Sequence, residues 1–77
     1  MITLEQAIEI AKNCDCYPVC KAYDLDIEWL VSYDSGNPPI PGVRSTLVNK
    51  ETGKTRSFFP PDYEGIEPSE ENLVWSV

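Results

Sequence analysis

The chain has 77 residues, 13 of them acidic and 6 basic, with no histidine and a net charge of −7. One small domain over residues 1–77 is expected, with too little chain for a deep, dry pocket and without the commonest general base and metal ligand, which argues against an enzyme. A polyanion and an anionic membrane surface both repel such a chain, while 42% hydrophobic and 25% charged residues set it apart from the disordered class.

Thr3-Leu4-Glu5-Gln6 has the form of a capping box, and Leu4, Ala7, Ile8 and Ala11 recur at helical spacing, with Cys14 continuing the stripe. This predicts a helix over residues 3–14, with Ile2 as a hydrophobic staple and Glu5, Glu9 and Lys12 on the outer side. Pro18 ends any continuation. Strands are predicted over Val19–Leu25 and Trp29–Tyr33, with Trp29, Val31 and Tyr33 sharing one face and Leu30 and Ser32 the other. Between them Asp24, Asp26 and Glu28 alternate with Leu25 and Ile27, as either a strand with a solvated acidic face or a turn. Asp34 to Asn37 is a turn signal, and the prolines of Pro38 to Gly42 make a stiff, extended connection. Val43–Val48 and Lys54–Phe59 form a hairpin around Asn49 to Gly53, where Gly53 is free to take positive φ. Pro60 and Pro61 stop the returning strand. Pro68-Ser69-Glu70-Glu71 resembles a helix start, with Ser69 as cap. Leu73, Val74, Trp75 and Val77 are too apolar for a free tail and are expected to dock on the sheet as a short helix or last strand. The fold class is α+β: an N-terminal helix packed on an antiparallel sheet of about four strands, with a short C-terminal closing element.

Met1 to Ile10 has neither a basic stretch nor a long apolar core, so no signal peptide is expected. No run approaches ~18 apolar residues, so no transmembrane helix is expected, and the expected location is the cytoplasm. Cys14, Cys16 and Cys20 are odd in number, which points to free thiols in a reducing compartment. They lack the second pair that a zinc site needs, short of a site shared between two chains, and neither spacing is the redox Cys-x-x-Cys. Cys14 and Cys20 are read as small core residues. No metal and no cofactor are expected.

Ser32, Ser35, Ser45 and Ser57 have no histidine partner, so a Ser–His nucleophile cannot form. Gly36 and Gly42 flank a proline loop and make no nucleotide fingerprint. Asp24, Asp26 and Glu28 would stand mostly in water, with pKa values too low for neutral-pH catalysis, and are better read as a binding rim. Four of the six bases, Arg44, Lys50, Lys54 and Arg56, fall in the hairpin. They either pair with the acidic flanks inside the fold or leave an acidic patch open to a basic protein partner. Trp29, Tyr33, Tyr63 and Trp75 could anchor such an interface, with at least half of them in the core. The candidate partner-binding residues are Asp24, Asp26, Glu28, Tyr33, Asp34, Tyr63 and Glu64.

Leu47-Val48-Asn49-Lys50-Glu51-Thr52-Gly53 resembles the apolar–apolar–Asp/Asn–Lys–x–Thr–Gly turn of the immunity protein 35 family, which includes the YrhB-type small proteins. The order of parts over residues 2–59 is similar too: an opening helix with Ala7 and Ala11, a tryptophan-led strand at Trp29, and a loop with Gly42 before the strand that enters the Thr-Gly turn. The proline-rich loop and the stretch Asn72 to Val77 depart from that pattern. The resemblance implies a cytoplasmic, non-enzymatic bacterial immunity protein that neutralises a toxin by occlusion, with its acidic face over the toxin's active surface. A nuclease toxin fits, because nucleases bind polyanions. The resemblance assigns no catalytic residues. The alternative is a small structural or regulatory interaction module, as a homodimer pairing an exposed strand edge. On the first reading, reversing Asp24, Asp26 and Glu28 to lysine is expected to weaken partner binding and leave the fold intact.

Overall fold

The computed structural model describes residues 1–14, 16–34, 36, 44–58 and 68–77. Helix α1 spans Leu4–Lys12. Its start is the capping box expected: Gln6 N donates to Thr3 Oγ1 at 3.2 Å and Thr3 N donates to Gln6 Oε1 at 2.9 Å. These bonds satisfy amides that a helix start otherwise leaves unpaired. The helix stops at Asn13, whose amide bonds Ile10 O and whose side chain bonds Glu9 O. Cys14 therefore leaves the apolar stripe. It is exposed, with Sγ donating to Ile10 O at 3.4 Å, and Cys20 is only half-buried. The expectation that both thiols pack in the core is corrected on this ground.

Five strands follow: β1 (Val19–Asp24), β2 (Glu28–Tyr33), β3 (Thr46–Asn49), β4 (Thr55–Ser57) and β5 (Leu73–Ser76). They form one antiparallel sheet in the order β4-β3-β2-β1-β5. The architecture is α+β, as expected, and the C-terminal closing element supplies the fifth strand. A single 3₁₀ turn, Glu70–Asn72, precedes it. Ser69 stands before that turn, but its hydroxyl bonds Asn72 Oδ1 at 3.0 Å and caps no backbone amide.

Alternation along β2 divides the core. Val31 faces α1 and packs with Ile8, Ala11, Val19 and Ala22, with Leu4, Tyr33 and Trp75 around them. Leu30 faces the other way and packs with Leu25 and Leu47, beside Tyr23 and Phe58. Each fully buried aliphatic side chain stabilises by roughly 1.5–3 kcal/mol, so both faces contribute. Tyr33 ties the layers together. Its hydroxyl donates to Ala11 O on the helix and shares a hydrogen bond with Thr46 Oγ1 on β3, both at 2.7 Å.

The β3–β4 hairpin closes where the sequence places it. Asn49 Oδ1 accepts from Glu51 N and Thr52 N, and Gly53 N donates to Asn49 O. Gly53 has φ +74, which an L side chain adopts only with strain. The proline-rich connection over 37–43, the strand ends proposed at Val43 and Phe59, and Pro60, Pro61, Tyr63 and Glu64 lie outside the described residues. Among the described residues no helix is long and apolar enough to cross a membrane.

Candidate functional site

The β1–β2 connection is a tight turn. Leu25 N donates to Glu28 O at 2.9 Å, and Ile27 N donates to Leu25 O at 3.0 Å. The second bond closes a γ-turn around Asp26, whose φ of 73 is strained for a non-glycine residue. Asp24 braces it. Its Oδ1 accepts from Asp26 N at 3.1 Å and also from the ammonium of Lys50. The Lys50 hydrogen bond is the main reason that the Asp24 carboxyl is held below the usual carboxylate range, against an opposing effect of burial and with help from the Asp26 amide and the Lys50 charge.

Lys50 connects this turn to two other segments. Its amide donates to Ile27 O at 3.0 Å, its carbonyl accepts from Ile2 N, and its ammonium lies 4.4 Å from the Trp29 ring centroid. Trp29 Nε1 in turn donates to Ile2 O at 3.1 Å. On the far side, Asn72 Nδ2 donates to Asp24 O at 3.1 Å and brings the 3₁₀ turn alongside. One end of the molecule thus gathers both turns, the start of α1 and the 3₁₀ turn. Ile27 projects from it, 65% exposed. Asp26, Glu51, Glu70 and Glu71 are also exposed there, and none has an ion-pair partner among the described residues.

The sequence-predicted acidic rim does not form as one open face. Glu28 is 5% exposed and receives both Arg56 Nε at 3.0 Å and Arg56 Nη2 at 2.8 Å. Asp24 is committed to Lys50 and to the strained turn. Two of the four hairpin bases, Lys50 and Arg56, thus pair inside the fold, one of the two outcomes that the charge map allowed. Lysine at position 28 would set an ammonium against the Arg56 guanidinium in a buried place, so the triple reversal would not leave the fold intact. Asp34 follows the opposite end of β2, about 20 Å away at ~3.3 Å per residue, and bonds Gly36 N at 3.0 Å. Tyr33 spends its hydroxyl on Ala11 and Thr46. Of the predicted residues described, Asp26 alone belongs to the open acidic end.

The sequence reading passed over Ile10. It lies off the stripe of Leu4, Ala7, Ile8 and Ala11, yet it is apolar and half-buried. With Ile2, Glu5, Gln6 and Glu9 it lines a shallow hollow of about 410 Å³ on the outer side of α1. The signal was an isoleucine at i+4 from Gln6 and i+8 from Ile2, on a helix face otherwise carrying charge.

Cys14 and Cys16 are exposed and Cys20 is half-buried, and among the described residues no group of three or more histidine, cysteine or acidic side chains could hold a metal ion. This end offers a projecting apolar side chain on segments that carry exposed carboxylates, which suits contact with a basic protein surface. Comparison with protein-family models, with curated proteins and with solved structures gives no match.

Proposed function

We propose that the protein acts by covering a basic protein partner, as a cytoplasmic immunity protein occluding a toxin, with Ile27 as the apolar contact and Asp26, Glu51, Glu70 and Glu71 as the acidic surround. The observation that carries this reading is the exposure of Ile27 on a γ-turn that is strained at Asp26 and braced by Asp24 and Lys50. A strained turn persists only where its surroundings over-determine it, and such turns concentrate at contact sites. A rigid apolar tip loses little freedom on binding, which favours affinity. The carboxylates around it steer a basic surface inward and repel acidic ones. The resemblance of the Leu47 to Gly53 turn to the immunity protein 35 family supports the toxin as the partner class, and a nuclease would supply the basic surface.

The test is capture with the purified chain and with Ile27→Asp from cells that make the protein. The captured protein is then assayed for toxicity with and without the chain. A basic toxin held and silenced by the native chain, and released by Ile27→Asp at unchanged melting temperature, supports the reading. Equal capture by both chains removes this end from the interface. A mass that rises with concentration, with no partner held, points instead to the homodimer.

A further inference from the structure

We infer that the hollow on the outer side of α1 is a second contact point that receives a large apolar side chain flanked by lysine or arginine on the partner. This rests on the reading of the chain as a binder of a basic protein, and it adds a pocket to the projecting Ile27. Three observations carry it. The lining brings the apolar Ile2 and Ile10 together with the acidic Glu5 and Glu9 and the polar Gln6. That combination fits a cationic, amphipathic segment and rejects an acidic one. The apolar part of the lining is fixed in place. Ile2 is held by its amide to Lys50 O and by its carbonyl to Trp29 Nε1. Gly53 backs onto both isoleucines, and a Cβ there would lie 3.3 Å from Ile2 Cδ1 and 3.6 Å from Ile10 Cδ1. A preformed hollow asks little reordering of the chain when it is filled.

The lining carboxylates are also available. Glu9 meets Lys12 at 3.2 Å, but both side chains are more than half exposed, and such a pair holds weakly enough for an incoming cation to displace it. Glu5 carries no ion-pair partner among the described residues. The hollow also adjoins the acidic end through Lys50, whose carbonyl holds Ile2 and whose amide holds Ile27, so one partner surface can reach both.

The experiment is a nuclear magnetic resonance titration of the isotope-labelled chain with acetyl-Lys-Lys-Leu-Lys-Lys-amide. The control peptides replace the leucine by alanine or the lysines by glutamate. The expected result is saturable shifts centred on Ile2 and Ile10, at least tenfold weaker binding of the alanine peptide and none by the glutamate peptide. Ile10→Ser should abolish the effect, and Glu5→Gln with Glu9→Gln should weaken it several-fold while the methyl spectrum of the core is unchanged. Equal shifts with the leucine and alanine peptides, shifts spread over the whole acidic surface, or no shifts would overturn the inference. Because the peptides are not the partner, such a failure leaves the Ile27 contact standing, while capture lost in Ile27→Asp with the hollow still binding peptide separates the two in the other direction.

Discussion

The ammonium of Lys50 lies 4.4 Å from the centroid of the Trp29 ring while it bonds the Asp24 carboxylate. One side chain thus supports the β1–β2 turn, and its backbone holds both Ile27 and Ile2. Lys50→Met keeps most of the stem and removes the charge. It should destabilise the fold by about 1–2 kcal/mol, from the lost ring contact and ion pair. Urea unfolding checks the loss, and the Trp29 environment should change with it. A variant as stable as the native chain would show that the cation contributes nothing.

The Asp24 carboxyl is held below its ordinary range by Lys50. Its pairing therefore stabilises the fold above the unfolded carboxyl's pKa of about 3.9. That contribution is lost as pH falls through the lower folded value. The side chain is 43% exposed, so solvent screening limits the contribution to about 1 kcal/mol or less. Unfolding of the native chain and of Asp24→Asn at pH 6 and pH 2.5 isolates it. The native chain should lose more stability on acidification, because the other carboxylates are common to both proteins.

In the ion pair of Arg56 with Glu28 the burial is one-sided, with the Glu28 side chain 6% exposed and that of Arg56 58% exposed. Removing the guanidinium strands a buried carboxylate, whereas removing the carboxylate frees a cation that water can reach. Arg56→Met should cost about 2–3 kcal/mol, and Glu28→Gln clearly less. Lys12→Met, at the exposed pair with Glu9, should cost no more than about 0.5 kcal/mol. Thermal melts of the three variants give the order, and equal costs for Arg56→Met and Lys12→Met would contradict the burial argument.

Gly53→Val combines a branched side chain at φ +74 with a Cβ 3.3 Å from Ile2 Cδ1, and should destabilise by roughly 1–3 kcal/mol. Gly53→Asn should cost about 1 kcal/mol or less, because asparagine tolerates this conformation and the Ile2 tip can yield. Chemical denaturation of both variants checks the contrast.

Local signals carried the fold further than the site. Thr3 and Gln6 announce the helix start because a capping box is complete within four residues. Thr52 and Gly53 announce the hairpin because a turn needs only its own residues. Leu73 to Val77 read as either a short helix or a strand, since so short an apolar run fits both periods. The pairing with β1 decided for the strand. The site depends on contacts that no local pattern records. Glu28 meets Arg56 across 28 positions and Lys50 meets Asp24 across 26. Those contacts determine which carboxylates stay open, so an acidic run that looks like a rim in sequence divides into one residue unpaired among the described residues, Asp26, and two that are ion-paired, of which Glu28 is buried. The stretch with Ile27 reads as either a strand or a turn, and the γ-turn at Asp26 is the turn that leaves Ile27 exposed.

The order β4-β3-β2-β1-β5 sets a long-lived demand on a growing chain. Strand β1 is made before its second neighbour, whose Trp75 pairs with Ala22 and packs against the helix-side cluster and which arrives some fifty residues later. Until then a nascent β1 has one bare edge beside an incomplete apolar layer. Translation that stalls before Leu73 should therefore release chains prone to aggregate or to recruit a chaperone.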